Sequence, residues 1–104
     1  MVSGHVLTEV SAVVAADREA ALMTGIQELL RQPTPGGLVR TELLRGEDGH
    51  WRIQTLWRDR AALNAVRAGP EPPAAPQLFR RVGADPMLTV LEIVDSHVPS
   101  VDPG

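Results

Sequence analysis

Apolar and polar residues alternate through residues 5–14 (HVLTEVSAVV). This puts Val6, Thr8, Val10, Ala12 and Val14 on one face of a strand, and Leu7, Glu9, Ser11 and Val13 on the other. The period then lengthens. In REAALMTGIQELLRQ, Leu22, Ile26, Leu29 and Leu30 recur at helical spacing, and Arg18, Gln27, Glu28 and Arg31 fall largely outside that stripe. Asp17 stands where this helix needs an N-cap. Gly25 inside the run costs about 1 kcal/mol relative to alanine, which points to close packing against the sheet. The sequence PTPGG (33–37) ends the helix.

Alternation returns in residues 38–44 and 50–57, a β-hairpin whose turn chemistry is Asp48-Gly49, since glycine accepts positive φ without a Cβ clash. Asp59 then caps a second helix, RAALNAVRA, with Ala62, Leu63 and Val66 inward. Residues 69–76 (GPEPPAAP) read as irregular, because their prolines remove donors and fix φ. QLFRRVG has room for a turn or two of helix, and MLTVLEIVDSHV, rich in β-branched residues, is the last strand. The order β-α-β-β-α-β predicts an α+β, ferredoxin-like fold: a four-stranded antiparallel sheet with helices on one face. One domain over 1–98 and a frayed tail over 99–104 are expected.

Matching apolar character between strands predicts the two faces. Val10, Ala12, Val39, Thr41, Leu43, Trp51, Ile53, Thr55, Trp57, Leu91 and Ile93 would lie under the helices. Glu9, Ser11, Arg40, Glu42, Arg52, Gln54, Val90 and Glu92 would line the other face, with Leu7, Leu38, Leu44 and Leu56 nearer its ends. That mixture of leucines and opposite charges suits a sheet meeting another sheet, with Glu9, Glu42 and Glu92 balanced by Arg40 and Arg52 across a two-fold axis. A solvated sheet face is the alternative.

Composition narrows the function classes. A net charge of −3 argues against nucleic acid, whose binders need a basic surface. With no cysteine there are no disulfides, thiolate nucleophiles or cysteine-held metals, as fits a cytoplasmic protein. No run reaches the roughly 18 apolar residues of a membrane span, and MVSGHVLTEV lacks the basic start of a signal peptide. His5, His50 and His97 are spaced without a metal-ligand motif, so no metal is expected. No nucleotide-binding or nucleophile-elbow pattern occurs either.

The segment LWRDRAALNAVRAG resembles a feature of the antibiotic biosynthesis monooxygenase family of the dimeric α/β-barrel superfamily. Members carry a tryptophan at the end of the third strand and an acidic helix start, here Trp57 and Asp59, followed by Ala62 and Leu63. The PGG at 35–37 and the closing LEIVDSH are similar to the family as well. The resemblance implies a homodimer whose two sheets form one barrel, and a pocket in each subunit between helices and sheet. It also implies a cofactor-independent monooxygenase acting on a small hydrophobic, aromatic, polyketide-type metabolite, or a non-catalytic small-molecule-binding or structural dimer of the same fold.

On that reading Trp57 is a stacking wall with one indole donor, and Asn64 on the second helix adds an amide. Trp57 can equally be core filling. Phe79 would anchor its segment on the pocket's open side, Arg80 and Arg81 would meet an anionic or phenolate ligand, and 69–76 would be a lid or a tolerated insertion. Two features depart from the family. The aromatic oxygenases use a first-strand asparagine, where this strand offers only Ser11 and Thr8 as neutral polar groups. The haem-degrading members use a histidine that NAVRAGPEPPAAPQLF does not contain, so no haem or other cofactor is expected.

Overall fold

A computed structural model describes residues 4–70, 73–95, 97 and 99. Its strands are β1 (Val6–Val13), β2 (Leu38–Arg45), β3 (His50–Trp57) and β4 (Met87–Glu92). Its helices are α1 (Glu19–Arg31), α2 (Arg60–Arg67) and α3 (Ala74–Arg81). The sheet is antiparallel in the order β2-β3-β1-β4, so the expected α+β, ferredoxin-like arrangement is present, with α3 added before the last strand. Residues 100–104, most of the expected tail, lie outside the described residues.

The alternation of β1 is obeyed throughout: Val6, Thr8, Val10 and Ala12 are buried and the residues between them are not. In β3, Trp51, Ile53, Thr55 and Trp57 are buried on the same face, held there by the pairs Ala12↔Trp51, Val10↔Ile53, Thr8↔Thr55 and Val6↔Trp57. The hairpin turn places both Asp48 (φ 54°) and Gly49 (φ 76°) in the left-handed region. Any side chain at Gly49 would also press on the Val14 carbonyl, 2.9 Å from a Cβ there.

Several expectations need correction. Asp17 does not cap α1; it sits inside a short 3-10 turn, Ala16–Arg18, and Arg18 at the cap position contributes no side-chain bond. Gly25 makes room for Leu78 of α3 rather than for the sheet, since a Cβ there would overlap Leu78 Cδ1. Residues 74–76 are not irregular but form the first turn of α3, where a proline removes an amide that has no helical partner anyway. Finally, β4 is inverted relative to the expected faces. Val90 pairs with Thr8 and Glu92 with Val6 on the helix side, whereas Leu91 pairs with Leu7 on the open side.

An irregularity between Leu38 and Arg40 makes a similar exchange in β2. Leu38, opposite Trp57, goes to the helix side, and Val39 occupies the bulge. On the open face the charges pair within the chain, Arg40 with Glu42 (2.9 Å) and Arg52 with Glu9 (3.3 Å), while Gln54 donates to Glu9 (2.8 Å). Glu92 is not among them.

Two buried clusters lie beneath the helices. The larger joins Val10, Ala12, Val14, Trp51 and Ile53 of the sheet side to Leu22 and Ile26 of α1 and to Leu78, Phe79 and Val82. The smaller, among the described residues, holds Val6, Trp57, Ala62 and Leu63, with Leu38, Val66 and Val90 packed against it.

Candidate functional site

Between these clusters the helical layer does not close. A cavity of about 720 Å³ opens over the sheet, bounded by the end of α1, the loop from 32 to 35, α2, and the segment leading into α3. That volume is in the range of small-molecule sites. Its floor is Thr8, Val10, Thr41, Ile53, Thr55 and Trp57; Leu63 and Val66 of α2 and Leu29 and Leu30 of α1 form walls. Prolines stand on both sides of it, Pro33 and Pro35 on one, Pro70, Pro73 and Pro76 on the other. Their fixed φ gives a stiff rim, which bears on the lid expected of 69–76; residues 71–72 lie outside the described residues.

Its walls are unusual for a core. Leu30, Val39 and Leu88 are large apolar residues left 55%, 52% and 44% exposed, and all three line this cavity. The alternating pattern of β4 and the helical stripe of α1 thus present apolar side chains to a space that no side chain among the described residues fills.

Trp57 is buried (6% exposed) and forms part of the floor. Its indole Nε1–H donates to Thr8 Oγ1 at 3.1 Å, which fixes the ring plane. The Thr8 hydroxyl donates in turn to the Thr55 carbonyl at 3.5 Å, and the Thr41 and Thr55 hydroxyls bond each other at 3.3 Å. Beside Trp57, α2 starts where expected: Asp59 Oδ1 accepts from the Ala62 amide at 2.8 Å. This bond first, opposed by desolvation and then reinforced by the neighbouring Arg58 guanidinium, holds the Asp59 carboxyl below its usual range.

The other expected site residues are not brought to this cavity. Asn64 is exposed on α2, whereas Leu63, Ala65, Val66 and Arg67 line the space. Phe79 is fully buried in the larger cluster beneath α1 and α3. Arg80 is exposed, and Arg81 borders a separate, smaller hollow between α1 and α3. Ser11 lies on the open face, opposite Arg52. Of the two neutral polar groups on the first strand, the structure therefore brings Thr8, not Ser11, to the cavity.

Arg67 is the arginine the sequence reading overlooked. It closes the last turn of α2, lines the cavity and makes no ion pair among the described residues. The threonine row was legible in principle: Thr8, Thr41 and Thr55 all occupy inward positions of adjacent strands. His5 and His50 flank opposite ends of β1, His50 Nδ1 meeting the Glu47 carbonyl at 2.8 Å. No helix among the described residues is long and apolar enough to cross a membrane.

Neither a protein-family model nor a curated protein matches the chain. Solved structures do. SnoaB, a cofactor-independent oxygenase from Streptomyces nogalater, superposes with a TM-score of 0.64 at 22% identity, over 94% of this chain and 100% of SnoaB. A presumed antibiotic biosynthesis monooxygenase from Caulobacter crescentus gives a TM-score of 0.71 at 16% identity, over 90% of this chain and 93% of its own. A Nitrosomonas europaea protein of unknown function gives 0.71 at 16%, over 97% and 100%. The chain has the fold of the antibiotic biosynthesis monooxygenase structures.

Proposed function

We propose that the chain takes a small hydrophobic, aromatic metabolite of the polyketide type into the cavity beside Trp57 and oxygenates it without a cofactor. The observation that carries the ligand class is the exposure of Leu30, Val39 and Leu88 into one cavity whose floor is Trp57. Covering such surface with a ligand is favourable by about 25 cal/mol per Å². An indole already tied to Thr8 offers a fixed flat face for stacking without further loss of freedom. The fold shared with a cofactor-independent oxygenase supports the reaction class.

The chemistry that suits such a pocket is oxidation of an activated ring methylene: the carbon loses two hydrogens and gains one oxygen as a carbonyl, while the other oxygen atom of O₂ leaves as water. Its first step is loss of a proton to give an oxygen-stabilised carbanion. Arg67 at the cavity wall would favour that anion. Trp57 would hold the ring plane.

A second reading, binding without turnover, is favoured by one observation. Among the described residues no carboxylate and no imidazole lines the cavity, so a substrate would have to lose its proton without a positioned base. Oxygen uptake with anthrone separates the two. Uptake that Trp57→Ala abolishes supports the oxygenase; saturable anthrone binding with no uptake above the buffer rate supports the binder.

We further propose a homodimer through the open sheet face. Leu7, Leu44 and Leu56 are only half-buried there, and Met87 and Leu91 are exposed beside them. Because the flanking charges already pair within the chain, these apolar residues would supply the association. The native mass should be about twice the 11.2 kDa of one chain, and a monomer at micromolar concentration would refute the dimer.

A further inference from the structure

The cavity floor carries more hydroxyl than an apolar pocket requires. Thr8, Thr55 and Thr41 lie side by side across β1, β3 and β2, each opposite the next in the ladder, and all three line the cavity. Valine has nearly the same shape, suits a strand as well, and leaves no polar group to satisfy. Three hydroxyls in a row at these positions therefore need partners.

Part of the need is met internally. Trp57 donates to Thr8, Thr8 donates to the Thr55 carbonyl, and the Thr41 and Thr55 hydroxyls share one bond. These three bonds use three protons, whereas the indole and the three hydroxyls hold four. The fourth belongs to the Thr41–Thr55 pair, whichever member donates to the other. It is bonded to none of the described residues, and Thr55 itself is only 7% exposed.

Resting on the reading of this cavity as a ligand site, we propose that the surplus proton of the Thr41–Thr55 pair is given to an oxygen on the ligand's ring. The ligand class is thereby an aromatic ketone or its enolate, the ring stacked along Trp57 and the oxygen set at the centre of the sheet. A hydrogen bond in such apolar surroundings is stronger than one in water. A hydrocarbon of the same shape would cover the hydroxyl without bonding it, so the site discriminates against ligands that lack the oxygen. In catalysis the pair would act on the substrate directly, since the same proton would meet the negative charge that develops on that oxygen.

The pairing makes an unusual prediction about variants. Thr41→Val leaves Thr55 with its proton, and Thr55→Val frees the proton of Thr41, so either single change retains a donor. Only the double change removes it, and it removes both partners of their mutual bond together. The probes are 1-tetralone and tetralin, which differ by one ketone oxygen. The unaltered chain and both single variants should bind 1-tetralone about tenfold more tightly than tetralin. The double variant should bring the ratio near one, by weakening the ketone and by relieving tetralin of an unbonded hydroxyl.

An unchanged ratio in the double variant overturns the assignment. Failure of the unaltered chain to bind either probe overturns the ligand site itself, and a tetralin-only binder keeps the cavity but removes the hydroxyl role. If the double variant does not fold, the infrared carbonyl stretch of 1-tetralone bound to the unaltered chain decides. A shift below its position in a hydrocarbon solvent supports the bond, and no shift refutes it.

Discussion

Trp51 and Trp57 stand on the same strand, on the same face, six residues apart, yet they serve two different halves of the molecule. Over Trp51 the layer is closed. Leu22 and Ile26 of α1 and Phe79 of α3 share its cluster, the Arg45 guanidinium lies 4.7 Å from the ring centroid, and the indole donates to Glu19 at the start of α1 at 3.0 Å. Over Trp57 the layer is thin. Only Ala62 and Leu63 of α2 share its cluster, and the short α2 leaves the rest of the space as cavity. The indole bond differs accordingly: Trp51 ties a helix to the sheet, and Trp57 ties itself to the sheet's own threonine. On β3, residue type and periodicity suffice to say which face the two tryptophans occupy; whether that face is core or pocket depends on what is laid over it.

The contrast predicts how each half responds to damage. The largest effect belongs to the closed half. Phe79→Ala should destabilise the chain by about 3–5 kcal/mol, seen as an earlier urea midpoint. If it instead weakened ligand binding with the midpoint unchanged, Phe79 would be a site residue and the division would fail.

Gly37, at the foot of the open half, comes next. Its φ of 85° lies in the left-handed region, and a Cβ there would overlap Ala62 Cβ. Its carbonyl also accepts the Arg58 amide at 2.7 Å, just before the cap of α2. Gly37→Ala should cost about 1–2 kcal/mol from the backbone alone, and should loosen the ligand as well because α2 is a wall of the cavity. Tighter binding in that variant would contradict the packing described.

Leu30→Ala sharpens the comparison from the opposite side. As an exposed position its stability effect should stay within about 0.5 kcal/mol, while 1-tetralone binding weakens several-fold. Calorimetry on the one variant reads both. The smallest effect is the pH dependence of the α2 cap. Because the folded-state value of the Asp59 carboxyl is depressed, its contribution is fully present above the unfolded value and is lost as pH falls through the folded one. The gap in melting temperature between the unaltered chain and Asp59→Ala should therefore narrow on acidification. A gap that widened would assign the cap's strength to something other than the ionised carboxylate.

How much was legible in the sequence follows from what each signal depends on. The strands, the hairpin turn at Asp48-Gly49 and the Asp59 cap were readable because each is local. The faces of β4 were not. Both Leu88 with Val90 and Leu91 with Ile93 suit a core, and only the pairing Thr8↔Val90 selects one set. The bulge at Val39 likewise depends on how β2 meets β3. Asp17 suits a cap by type, but the chain must first turn from the end of β1 over the sheet, and a 3-10 turn uses that residue.

Trp57 reaches the cavity floor because the strand pattern aims it inward. Asn64, Arg80 and Arg81 were chosen from residue chemistry without the angular position on their helices, which decides that Arg67 and not they line the cavity. Thr8, Thr41 and Thr55 were each assigned inward. Their meaning arises only from adjacency across three strands.

The most direct test of the central claim uses the two tryptophans as reporters. In a ¹H–¹⁵N spectrum the chain has two indole N–H signals, and Trp57→Phe identifies which one is Trp57. Titration with 1-tetralone should move the Trp57 signal and leave that of Trp51 in place. Movement of Trp51 alone, or of neither, would contradict the assignment of Trp57 to a ligand pocket and return it to the core.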